Sequence, residues 1–150
     1  APWTTDDARH AFARIAMEAR SSGGSVLATA SRRTPADVAA ALRTAFAGMP
    51  GLVWVDATDG PNPYAGLLGW ADRLACTPDS INLLSEACAT RAPVELIAAD
   101  RIGGRPLAFV RQLQALHRIA GADAAPGSLT PLRETARIAA RLAAWREAGR

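Results

Sequence analysis

Ser25-Val26-Leu27-Ala28-Thr29-Ala30-Ser31 is the stretch on which the fold turns. A short apolar run without polar alternation is what a strand buried on both faces requires, as in a parallel sheet. Just before it, Gly23 and Gly24 end a helical pattern in which Phe12, Ile15, Ala16 and Ala19 recur on one side. That helix opens on Thr4, Thr5, Asp6 and Asp7, a cap followed by an acidic first turn that suits the positive end of a helix dipole. Just after the strand, Thr34 reads as a cap, Pro35 as the first position of a second helix and Asp37 as part of its first turn. This helix is expected to reach about Gly48.

The alternation continues. Residues 52–55 (LVWV) read as a second buried strand, with Trp54 in the core, followed by a loop rich in Gly and Pro. A short helix through Leu67 and Trp70 comes next, then a strand over 73–76, a helix over 80–90 and a strand over 94–98. The tail reads as two helices, 107–120 and 132–148, joined by a loop containing Pro126 and Gly127. Strands separated by helices of this length imply strand–helix–strand units with right-handed crossovers. The expectation is an α/β, Rossmann-like domain over 1–150: four parallel strands at the centre, helices on both faces, and the last helix packed at the margin through Ile138, Leu142 and Trp145.

Composition narrows the function. With 49% hydrophobic and 21% charged residues, the chain is neither disordered nor fibrous, and 150 residues suffice for one domain with a proper core. No apolar stretch is long enough for a membrane span, and the first twenty residues are too charged for a signal peptide. The net charge is +3, and all 17 basic residues are Arg, with no Lys. Together with abundant Ala, that bias points to a GC-rich coding sequence more than to a nucleic-acid surface, which wants a basic patch with aromatics. Cys76 and Cys88 fall in a strand-like and a helix-like run and read as small core hydrophobes. No disulfide framework is indicated, so a reducing cytoplasm is the expected setting.

In parallel α/β sheets ligands bind beyond the carboxyl ends of the strands. The loops to inspect are therefore 31–34, 57–64, 77–80 and 99–104. The third, Thr77-Pro78-Asp79-Ser80, runs into a helix whose buried stripe is Ile81, Leu84 and Cys88. Asp79 and Glu86, seven apart, both turn away from that stripe. The N–H groups near Ser80 and Asn82 open a helix and suit an anion, and Glu86 can accept hydrogen bonds from vicinal ribose hydroxyls. The competing reading is that Thr77, Asp79 and Ser80 merely cap the helix and Glu86 is solvated; both stay open. In the first loop, Ser31 and Thr34 flank Arg32 and Arg33, whose guanidinium groups can grip phosphate oxygens bidentately or simply be solvated. In the second, Gly60-Pro61-Asn62-Pro63-Tyr64 is stiffened by two prolines. Asn62 or Tyr64 can meet a base there, or the segment is a plain turn.

Other constellations carry less. His10 and His117 lack metal-ligand spacing. Ser80 and Ser85 lack a nucleophile elbow or a triad partner. Arg133, Arg137 and Arg141 form a stripe that reads as a solvated face or as a contact with another domain.

The ordered motifs Ser31-Arg32-Arg33-Thr34-Pro35, Asn62-Pro63-Tyr64, Thr77-Pro78-Asp79-Ser80, Ser85-Glu86-Ala87 and Ala92-Pro93-Val94 resemble the mitochondrial fission family named for its elongated-mitochondria phenotype. Bacterial relatives of that family carry a nucleoside-diphosphate-sugar epimerase label, but this sequence has no Gly-x-Gly-x-x-Gly fingerprint for a dinucleotide. The resemblance covers roughly 25–94, and the tail, including Pro131-Leu132-Arg133-Glu134-Thr135, matches more loosely. It implies a fold similar to the C-terminal domain of GT-B glycosyltransferases, with this chain as the second half of a two-domain protein. The Asp79-Ser80 turn is similar to the donor-phosphate turn of heptosyltransferases, and Glu86 is placed like the ribose-binding Glu of many GT-B donor sites.

The expected function is therefore to hold the nucleotide diphosphate of a nucleotide sugar. Ser31, Arg32, Arg33, Thr34, Asn62, Tyr64, Thr77, Asp79, Ser80, Asn82 and Glu86 are the ligand-binding candidates. No catalytic residue, metal or cofactor is expected, and the isolated domain is expected to be inactive. The expected partners are the nucleotide sugar and an N-terminal domain, without nucleic acid, in a bacterial cytoplasm. The alternative is an interaction scaffold in which donor binding is weak or lost.

Overall fold

A computed structural model describes residues 4–119 and 129–148. The loop with Pro126 and Gly127, and Ala120 at the end of the 107–120 helix, lie outside them. Along the chain come α1 (Thr5–Ser22), β1 (Val26–Thr29), α2 (Ala36–Ala45), β2 (Gly51–Trp54), α3 (Tyr64–Trp70), β3 (Leu74–Cys76), α4 (Ile81–Cys88), β4 (Val94–Leu96), α5 (Gly104–Ala115) and α6 (Glu134–Ala148). Tight 3-10 turns follow β2 at Ala57–Asp59 and β4 at Ala99–Arg101. The chain is thus a mixed α/β protein with short parallel sheets.

Local chemistry accounts for the helix ends. The Thr4 hydroxyl accepts from the Asp7 N–H while the Asp7 carboxylate accepts from the Thr4 N–H, a reciprocal cap. Gly23 closes α1 in the left-handed region at φ 68°, its N–H reaching the carbonyls of Ala19 and Arg20. Thr34 does not cap α2. Pro35 occupies the cap position without a side-chain bond, because the Thr34 hydroxyl is taken by the N–H of Ser31 at 2.9 Å.

The strands pair in two separate ladders instead of one four-stranded sheet. β1 runs parallel to β2 with Val26 opposite Gly51 and Thr29 opposite Trp54. β3 runs parallel to β4 with Leu74 opposite Val94 and Cys76 opposite Leu96. Strands this short close few ladder bonds, and side chains make the join between the pairs. Ile97, just past β4, packs into the core of the first pair, although its N–H donates to the Cys76 carbonyl of the second at 2.9 Å. Arg14 of α1 forms an ion pair with Glu95 of β4. Arg101 reaches back to Asp7 at 3.4 Å.

Each ladder has its own core. Ala8, Phe12, Ala16, Val38, Ala41, Leu42 and Phe46 knit α1 and α2 over the β1/β2 pair, with the Phe12 and Phe46 rings 5.9 Å apart. Leu74, Cys76, Leu84, Ala87, Cys88, Val94, Val110 and Leu113 pack α4 and α5 against β3/β4. Both cysteines are buried and unpaired in disulfides, as their apolar settings suggested. Burial raises both thiols, Cys76 to about 12.

Three expectations about packing are corrected. Helices do not cover both faces of β1/β2: the register partners Leu27 and Leu52 are 40% and 42% exposed, on the face opposite α1 and α2. Ile81 lies outside the buried stripe of α4, which consists of Leu84, Ala87 and Cys88. Finally, Ile138, Leu142 and Trp145 do not anchor α6 at a sheet margin; they are 55%, 58% and 75% exposed. Their spacing marks one helix side correctly, but nothing among the described residues lies over it. The tail is instead held at its start, where the Leu132 N–H donates to the Cys88 carbonyl.

Arg118 is the buried charge that sequence reading missed. It is 2% exposed, and its guanidinium donates to the carbonyls of Cys88 and Thr90 at 3.2 and 3.1 Å. A cation suits the negative end of α4. Its Nη1 has no hydrogen-bond partner among the described residues.

Candidate functional site

The predicted site residues fall into two groups. In the first, Ser31, Arg32 and Thr34 line an open cleft of about 670 Å³ together with Ala36, Ala39 and Ala40 of α2 and Trp54 to Ala57. It lies where β1 and β2 end, as the parallel-sheet rule anticipates. Its rim is a self-satisfied turn: the Ser31 N–H donates to the Thr34 hydroxyl, the Thr34 N–H to the Ser31 carbonyl, and the Arg33 N–H to the Ser31 hydroxyl. Those bonds leave Arg32 and Arg33 exposed, with no ion pair among the described residues. Trp54 is half-buried beside the cleft, not in the core, and its indole N–H donates to the Gly60 carbonyl at 2.9 Å.

Sequence reading overlooked the acidic side of this cleft. Asp56 caps the 3-10 turn through the Thr58 N–H while Asp59 reaches back to the backbone N–H of Asp56. This Asp-x-x-Asp spacing is legible as a capping signal. Arg43 donates to both Asp59 oxygens, at 2.9 and 2.7 Å. That fork, helped by the Val55 N–H, holds the Asp59 carboxyl far below the usual carboxylate range.

The second group lies at α3 and α4. Asn62 turns inward on its own loop, its side-chain oxygen accepting from the Tyr64 N–H at 2.9 Å. Tyr64, first residue of α3, donates its hydroxyl to Glu86 of α4 at 2.5 Å. Burial first, and that bond to the carboxylate second, raise the Tyr64 phenol above its ordinary value. Ser80 caps α4, accepting from the Leu83 N–H at 3.4 Å. Asp79, Asn82 and Glu86 are exposed and Thr77 is half-buried.

The structure thus joins the second loop to the third through Tyr64 and Glu86. No hydrogen bond or ion pair among the described residues joins Arg32 or Arg33 to the 77–86 segment. No group among the described residues could hold a metal ion, and none of their helices is long and apolar enough to cross a membrane.

Fold and loops together define a mixed α/β chain built from parallel strand–helix–strand units, with an open cleft where β1 and β2 end. The chain belongs to the mitochondrial fission ELM1 family, whose model matches residues 1–145. The match extends on both sides of the 25–94 run that carried the resemblance. Over 124 residues it is 34% identical to the mitochondrial fission protein ELM1 of Arabidopsis thaliana, covering 79% of this chain and 29% of that protein. The chain therefore spans less than a third of that relative's length. No solved structure matches it.

Proposed function

We propose that this chain is a Rossmann-like, nucleotide-sugar-binding domain of the GT-B type, holding a nucleoside diphosphate and inactive by itself. The observation that carries the reading is the Tyr64–Glu86 hydrogen bond. It tethers an exposed carboxylate on α4, one turn and a half beyond the N–H groups that open that helix. Those N–H groups suit a diphosphate, and the carboxylate suits the ribose. Replacing Glu86 with Ala removes a charge-assisted hydrogen bond of about 1.5–3 kcal/mol, or roughly ten- to a hundredfold in affinity. Calorimetry with ribonucleoside diphosphates should show that loss, and a much smaller one with 2′,3′-dideoxy analogues. Equal losses for both sugars, or none for either, would refute the site.

A second reading has its own support. The relative in Arabidopsis thaliana is named for mitochondrial fission, and α6 displays Ile138, Leu142 and Trp145 uncovered. Both favour an interaction scaffold. Retention of a fission-type interaction by a Glu86→Ala variant that has lost nucleotide binding would decide for it.

A further inference from the structure

We propose that Tyr64 is the positioning residue that makes Glu86 selective for a vicinal diol; the proposal rests on the donor-site reading. The Tyr64 hydroxyl spends its proton on Glu86 Oε2 at 2.5 Å, and Glu86 Oε1 accepts no hydrogen bond among the described residues. The tether therefore divides the carboxylate into one committed and one open oxygen. The phenol oxygen, having donated, keeps its own lone pairs. Glu86 Oε1 and Tyr64 Oη then form a pair of adjacent acceptors, which is what two neighbouring hydroxyl donors on a sugar ring need.

Tyr64 is itself held in advance. Its N–H is fixed by the Asn62 side chain at 2.9 Å, Pro63 precedes it at the cap of α3, and its ring is half-buried. An exposed glutamate left alone samples many rotamers. Immobilising it before the ligand arrives removes an ordering cost from binding. The Asn-Pro-Tyr loop thereby acquires a job distinct from touching a base: it presents the glutamate.

The test uses the 150-residue chain with UDP, GDP, ADP and CDP and their 2′,3′-dideoxy counterparts. Tyr64→Phe should weaken the best ribonucleotide about tenfold, the order of one hydrogen bond to a charged group. It should leave the dideoxy form unchanged. Tyr64 is the only tyrosine in the chain, so phenolate absorbance reads it directly, and Glu86→Gln should move its ionisation to lower pH. A diol preference that survives Tyr64→Phe, or equal weakening of both sugars, overturns the assignment. If the unmodified chain binds none of the diphosphates, the donor site itself fails and the diol role falls with it. The absorbance titration then still reports on the link, and an unmoved phenol in Glu86→Gln would show that no such link exists.

Discussion

β1, α2 and β2 form one strand–helix–strand unit, and β3, α4 and β4 form another of the same parallel sense. The first has the longer strands yet leaves Leu27 and Leu52 open on one face. The second is shorter but buries Leu74, Cys76 and Val94, because α5 packs against it as well and Leu132 joins the same core. Its ladder is even extended by a parallel bridge from Val94 to Ile119. Strand length is therefore not what closes a core here. Coverage is, and the second unit brings its own while the first is roofed on one side by alanine-rich helices.

The largest expected effect separates the two units directly. Leu84 is 0% exposed, so Leu84→Ala should cost about 2–5 kcal/mol in urea unfolding. Leu52→Ala on the open face should cost about 0.5 kcal/mol, as surface substitutions do. Comparable losses would mean that the face of the first unit is closed after all, and the contrast would dissolve.

Next in size is an alkaline weakness to which Cys76 of the second unit contributes. Burial pushes the Cys76 thiol up from its ordinary 9.0 to about 12 in the folded chain. A thiol raised in this way contributes stability that is intact below the unfolded value and lost as pH climbs through that window. The slope is about 1.4 kcal/mol per pH unit. Unfolding midpoints across the alkaline range should fall less steeply in Cys76→Ala; an unchanged slope would place the weakness elsewhere.

The smallest effect concerns a cap. Ser80→Ala should cost about 1 kcal/mol, read by thermal unfolding. The reciprocal pair of Thr4 and Asp7 in α1 should make Thr4→Ala the more damaging of the two substitutions. The reverse order would mean that Ser80 does more in the second unit than cap a helix.

Much of this architecture was legible from residues. The apolar runs 25–31 and 52–55 marked β1 and β2, Gly23 marked the end of α1, and Ser80 marked the start of α4. The misreadings share one cause. Local pattern shows which side of an element is apolar, but not whether another element covers it. Leu52 sits in a run that looks buried on both faces, and Ile138, Leu142 and Trp145 share one helix side, yet all four are exposed. The geometry of the candidate site was legible in the same measure. The loops at the strand ends were named correctly, but the meeting of Tyr64 and Glu86, 22 residues apart, depends on how α3 and α4 are set together. Arg118 left no local trace, since its partners are carbonyls about thirty residues away.

One glycine shows how narrow the chain's choices become at a strand start. Gly51 opens β2 at φ 130°, and a Cβ placed there would lie 2.0 Å from the Val26 carbonyl oxygen. The clash is with backbone, which no rotamer relieves, and the torsion belongs to the region that side chains avoid. Position 51 therefore works as a key for register. It admits a single amino acid, and in doing so dictates which residue of β2 faces Val26, so every later pairing of that ladder inherits its alignment from an atom that is not there.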